Sequence, residues 1–204
     1  NSSLYDGAIS RTGGGAMSML VNNSTLNNRA AGTLNVSSMQ LQNSAKMGFV
    51  INNARIAGGL PIFNVTGTAD VAANSVFTPI FEQFIATPFT VRVLTAGTLN
   101  LGGPVAAMLN AESPYLYNVA LVNPAASNAL DLVMSVKTAT QLGLNDRQAS
   151  AYAGVLDLLG EDDDIAAAIT SISGADEFQR GFSDLLPGSD AAVVRLLAAN
   201  ATAA

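Results

Sequence analysis

Four successive carboxylates, Glu161-Asp162-Asp163-Asp164, are the densest group of side chains in this sequence that could do chemistry. Carboxylate oxygens are the preferred ligands of Ca²⁺, so a cation site is one reading. No Asp-x-Asp-x-Asp-Gly loop accompanies them. Acidic residues are also favoured in the first turn of a helix by its dipole, and the run is read as a helix start. Asp70, Glu82, Glu112 and Asp131 are spread too widely along the chain to name a general acid and base. There is no His and no Cys. That removes the Ser-His-Asp triad, imidazole and thiolate metal sites, cysteine nucleophiles and disulfide scaffolds. Ser127 has no base to activate it. Gly13-Gly14-Gly15 is not followed by Lys-Ser/Thr, so it reads as a linker or corner rather than a phosphate cradle. No catalytic, cofactor or metal site is expected.

The elements that would have to position a site fall into two parts. Residues 1–140 are rich in Asn, Gly, Ser and Thr and carry a net charge of +1; residues 141–204 are acidic, rich in Ala and Leu, and carry −7. The whole chain of 204 residues is long enough for one sizeable core or two modest ones. With 12% charged and 49% hydrophobic residues it is not a charge-solvated disordered chain. A net charge of −6 and the lack of any Lys/Arg cluster argue against nucleic acid as a partner. No Trp is present to stack a sugar ring. Asn1-Ser2-Ser3 shows neither the basic nor the apolar region of a signal peptide. No apolar stretch reaches the roughly 20 residues that span a bilayer as a helix. The sequence reads as a fragment of a longer chain.

In the first part, short period-2 segments end at Asn, Gly or Ser. Leu34 and Val36, Met39 and Leu41, Phe49 and Ile51, and Ile62 to Val65 are such pieces. Asn suits the corners between them because it tolerates left-handed φ and can ladder with another Asn. Longer strands follow, from Val76 to Phe84, Phe89 to Leu94, Tyr115 to Val122 and Leu130 to Val136, with Thr95 to Thr98 between Leu94 and Leu99. From Asn145 the period becomes 3.6. Asn145-x-x-Gln148 has the form of a capping box, with Tyr152, Val155, Leu156 and Leu159 on one helical face. Further helices are expected to start at Asp162-Asp163-Asp164, at Ser173-x-x-Asp176 and at Ser189, the last carrying Val193, Leu196 and Leu197. The irregular repeat predicts a degenerate right-handed β-solenoid, with a β-sandwich as the competing fold.

Several of these segments resemble one family. Val65-Thr66-Gly67-Thr68-Ala69 and the run from Phe89 to Leu99 resemble the C-terminal region of autotransporter passengers, where an "NVTGTA" strand and a later "TVLTAGT"-like strand recur. Leu142 to Ala149 is similar to the "LGLNxNQ" start of that family's helical segment, and Leu185-Leu186-Pro187 resembles its "LLP" element. The resemblance covers roughly residues 60–200. The family's barrel is absent, and residues 1–60 match only in style. The resemblance implies a type V secreted protein, exported through the periplasm to the surface of a Gram-negative bacterium. Its passenger would be a β-solenoid whose C-terminal region acts as an autochaperone, and its barrel would lie in the outer membrane.

The resulting expectation is a mainly β fold with a helical tail. A right-handed parallel β-solenoid over 1–140 would be capped by longer strands from about 74, and about four short helices would fill 141–204. The function expected is non-enzymatic: folding nucleus and stalk beside the outer-membrane barrel of the same polypeptide. The residues expected to carry it are packing positions. They are Phe77, Phe81, Phe84, Phe89, Val91, Val93, Leu99 and Leu101 in the cap, and Tyr152, Leu156, Phe178, Phe182 and Leu186 in the junction. A surface adhesin that binds host or neighbouring cells is the second reading, and a polysaccharide-acting β-helix enzyme the third. Self-association through an open N-terminal edge is a further expectation.

Overall fold

The computed structural model describes residues 3–9, 15–110 and 113–186. The helix expected from Ser189, the stop at Pro187, Gly13-Gly14 and Glu112 lie outside them.

Alternation sets the first strands. β1 spans Leu4–Gly7, β2 Ser18–Asn22, β3 Thr25–Asn28, β4 Leu34–Val36, β5 Ser38–Gln42 and β6 Lys46–Ile51. In β2, Met19 and Val21 are buried while Ser18, Leu20 and Asn22 are exposed, the inside-outside pattern of a half-buried strand. Corners fall at Asn23, Asn43 and Ser44, whose φ values of 46°, 50° and 64° are left-handed. Asn43 Nδ2 donates to Asn22 Oδ1 at 2.8 Å, so the corner at Asn43 is tied to the end of β2. After β6 the chain makes a one-and-a-half-turn helix, α1 (Asn53–Gly58). Asn52 caps it by accepting from Arg55 N at 3.0 Å, and Gly59 ends it with φ 62°. Asn52-Asn53 is therefore a helix start. β7 (Phe63–Val71), β8 (Val76–Phe81), β9 (Phe89–Leu101), β10 (Tyr117–Val122) and β11 (Ala129–Val136) complete the strands. The strand expected over Phe89 to Leu94 does not end there; β9 continues through Thr95 to Thr98 for 13 residues in all.

The strands make two sheets. One has four strands in the order β1-β3-β6-β8, and the other seven in the order β10-β11-β9-β7-β5-β2, with β4 pairing β7. The first is wholly parallel. In the second, β2, β5, β7 and β9 pair parallel in turn, but β11 pairs antiparallel with β9. Register aligns apolar residues into rows. Tyr5, Leu26, Met47 and Phe77 stand side by side in the first sheet, and Met19, Met39, Ala69 and Leu99 in the second. Phe49 meets Phe63 edge-on, with ring centres 6.3 Å apart.

The expected fold class is corrected by this topology. The chain is not a right-handed parallel β-solenoid with a helical tail but a mixed α/β fold, with one parallel sheet, one mixed sheet and four helices among the described residues. The antiparallel β9–β11 pairing and the inserted α1 are the findings that overturn it. Period-2 alternation is the same for parallel and antiparallel strands, so the sequence pattern held no information on direction.

The described residues divide into two compact units, one of those up to 113 with 119–135, the other of 114–118 with 136–186. The second contains α2 (Asp146–Glu161), α3 (Asp163–Thr170) and α4 (Ala175–Asp184). The capping box of α2 is complete: Gln148 N donates to Asn145 Oδ1 at 3.0 Å, and Asn145 N donates to Gln148 Oε1 at 2.9 Å. α4 starts after Gly174 with no side-chain cap, so Ser173 does not play the role its spacing suggested.

Candidate functional site

The acidic run resolves into helix ends. Glu161 is the last residue of α2. Asp162 caps α3, its Oδ1 accepting from Asp164 N and Ile165 N at 3.0 Å each, and Asp163 and Asp164 occupy the first turn. The dipole and the free N–H groups of that turn account for the charge. No group of three metal-ligating residues occurs among the described residues. The scattered carboxylates take separate partners. Asp70 accepts from Asn100 Nδ2 at 2.7 Å, Glu82 from Asn52 Nδ2 at 3.1 Å, and Asp131 from Arg92.

Packing positions divide between the units. In the first, Phe77, Phe84, Phe89, Val91 and Val93 are buried, whereas Phe81, Leu99 and Leu101 are half-buried. In the second, Phe178, Phe182 and Leu186 are buried, and Tyr152 and Leu156 half-buried. Phe178 and Phe182, one turn apart on α4, lie 6.0 Å apart and are flanked by Tyr115 at 5.5 Å and Tyr152 at 6.0 Å. Lys137 Nζ sits 3.9 Å above the Tyr115 ring, a cation–π contact. The Tyr152 hydroxyl donates to the Lys137 carbonyl. Burial pushes the Tyr152 phenol up to about 12 and holds the Lys137 ammonium below its ordinary value. Tyr115 and Lys137 were not singled out from sequence, because both stand outside the helical period.

The polar groups that fasten β9 were also missed. Arg92 Nε and the guanidinium's terminal Nη2 donate to the two Asp131 oxygens at 2.8 and 3.1 Å, a fork across the β9–β11 pair. Asn128 holds the same edge: its Nδ2 donates to Gly97 O at 2.8 Å, and Leu99 N donates to its Oδ1 at 3.3 Å. Arg92 and Asp131 lie 39 residues apart, and only the register brings them together. A second arginine, Arg55 on α1, is 6% exposed and reaches back to donate to the carbonyls of Ala30 and Gly32. Burial lowers its pKa. It ties a loop between strands rather than facing a ligand.

On the outer face of the seven-stranded sheet, Asn64 Nδ2 donates to Asn35 Oδ1 at 2.8 Å and Thr95 Oγ1 to Asn64 Oδ1 at 3.0 Å, a polar ladder of three residues and two hydrogen bonds. In the helical unit a polar cleft of about 660 Å³ is lined by Asn145, Gln148, Asp176, Gln179, Arg180 and Ser183, among others. Gln148 Nε2 donates to Ser183 Oγ at 2.8 Å across it. Gln179 and Arg180 donate to backbone carbonyls, Gln179 to Leu142 and Gly143 and Arg180 to Asp176. No helix among the described residues is long and apolar enough to cross a membrane. The chain matches no protein-family profile, no curated protein and no solved structure.

Proposed function

We propose that this chain is the membrane-proximal part of an autotransporter passenger, non-enzymatic in itself, serving as folding nucleus and stalk beside an outer-membrane barrel of the same polypeptide. The reading rests on the sequence resemblance. The observation that supports it is an asymmetry between the two ends of the strand array. At the C-terminal end, β9 is the longest strand, is paired on both sides, and is fastened by Arg92–Asp131 and Asn128. At the other end, β1 and β2 are short and paired on one side only among the described residues. An end that is stable first can template the strands that pair in register upon it, which is what a folding nucleus does. Fractionation of cells carrying the native gene tests this. A product that partitions with the outer membrane as a heat-modifiable species is expected; a soluble product ending near Ala204 overturns the reading.

The Asn35–Asn64–Thr95 ladder favours an adhesin as the second reading. Loss of cell adherence on Asn64→Ala, with stability retained, would select it.

A further inference from the structure

We propose that α1 is a clasp: through Asn52 and Arg55 it joins the chain segments that follow the four strands of the first sheet, so that these segments open and close together. The strands end side by side. Gly7 of β1 stands beside Asn28 of β3, Asn28 beside Phe49 of β6, and Ile51 beside Phe81 of β8. Just past this row Arg29 N donates to Gly7 O at 3.0 Å and Glu82 N to Ile51 O at 3.3 Å. The further links at this end are made by side chains.

Those side chains form one line. Ile9, after β1, donates its N–H to Asn28 Oδ1 at 3.1 Å, and Ala30, after β3, donates to the same oxygen at 3.0 Å. The Ala30 carbonyl accepts from Arg55 Nη2, and so does Gly32 O at 3.3 Å. Arg55 N donates to Asn52 Oδ1 at 3.0 Å, and Asn52 Nδ2 donates to Oε2 of Glu82, after β8, at 3.1 Å. The partners in the three long links stand 19, 25 and 30 residues apart. Each link therefore carries the line from one strand end to its neighbour across the sheet. Arg29, beside Ala30, adds an ion pair back to Asp6 of β1.

Helix α1 is the middle of that line and depends on it. Six residues are too few to hold a helix by themselves. Its cap, Asn52, is oriented by Glu82, and Arg55 is held by two carbonyls of the turn after β3. Asn28 is 0% exposed and Arg55 6%, so the inner bonds lie out of water, where an unmade bond costs most. Arg55 Nε and Asn28 Nδ2 are buried with no acceptor among the described residues, a cost that an apolar side chain would not carry. What Arg55 contributes in return is its reach to Ala30 and Gly32. At the opposite ends of the same strands the backbone does the joining: Thr25 N donates to Ser3 O, Lys46 N to Ser24 O and Val76 N to Ala45 O. The clasp is independent of the export function and stands or falls without it.

Native-state hydrogen exchange, followed amide by amide, tests the clasp. Arg55→Met keeps an unbranched side chain in place and removes its donors. Exchange at the Ile9, Arg29 and Ala30 amides is then expected to speed at least about tenfold, while the Thr25, Lys46 and Val76 amides change by no more than about twofold. Ile9 is the decisive reporter, because its amide bonds Asn28 and not Arg55. Glu82→Ala removes only an exposed carboxylate and carries the test if Arg55→Met fails to fold. In that variant the Arg55 and Ile9 amides are expected to speed together. An Ile9 amide left unmoved in either folded variant overturns the proposal, since it reduces Arg55 and Asn52 to local ties. So does an equal acceleration at Thr25, Lys46 and Val76, which is a loss of global stability rather than the release of one end.

Discussion

Tyr152 shows how one side chain couples the helical unit to pH. Its phenol, with an ordinary value of 10.0, is raised to about 12 in the folded chain by burial. A raised acid pKa means that the neutral form is favoured on folding, so this contribution is intact below pH 10 and lost as pH rises from 10 through about 12. Lys137, lowered by burial, acts in the opposite sense as it loses its proton toward its unfolded value of 10.5. Thermal melts followed by helical circular dichroism should fall between pH 10 and 12, and Tyr152→Phe should flatten that fall. Val91 illustrates a different residue-scale cost. It is 3% exposed inside the first unit. Val91→Asp buries an unpaired carboxylate and is expected to cost about 3 kcal/mol or more in urea unfolding. An unchanged midpoint would remove Val91 from the core. Gly97 is constrained by space rather than by φ: a Cβ there would lie 2.6 Å from the Thr66 carbonyl oxygen.

At the scale of elements, β9 is the part on which most depends. It pairs parallel with β7 over Phe63–Val71 and antiparallel with β11, and the Arg92–Asp131 fork spans the second pairing. Arg92→Ala leaves a carboxylate on a residue only 8% exposed without its guanidinium. The expected loss is about 1–3 kcal/mol, with faster amide exchange along β11 than along β6. Pulse-labelled exchange during refolding should find β7 and β9 protected before β1 and β2, because the former are paired on both sides; the reverse order would contradict a C-terminal folding nucleus. The strands from β4 onward and helix α2 were legible element by element, whereas β1, β2 and β3 were not. Leu34 with Val36 and Met39 with Leu41 declare their inward faces, and Asn145 with Gln148 declares a cap. Helix α1 was not legible, because Asn52-Asn53 is as good a turn signal as a cap and six residues are too few to show a period.

Across the whole molecule the charge is uneven, with −7 of the net charge on residues 141–204. Like charges held within a compact unit repel, and salt screens them over about 10 Å at 0.1 M. The helical transition should therefore shift upward when salt is raised from about 0.01 M to about 0.5 M. A shift downward would mean that attractive pairs outweigh the repulsion.

Residue types and spacing alone marked the alternating segments from Leu34 onward as strands, the start of the 3.6-residue period near Asn145, and Asp162 to Asp164 as a helix start, and they exclude His and Cys chemistry from these residues; β1, β2 and β3 were not marked. These are properties of residue type and local spacing, and local physics is sufficient for them. Tertiary structure alone decided the fold class, and it decided against the expectation. Strand direction, sheet membership and the meeting of Arg92 with Asp131 depend on contacts tens of residues apart, and an alternating pattern is indifferent to all three. That β1 and β2 are each paired on one side only among the described residues is likewise decided by which strands meet, not by the residues of β1 and β2 themselves.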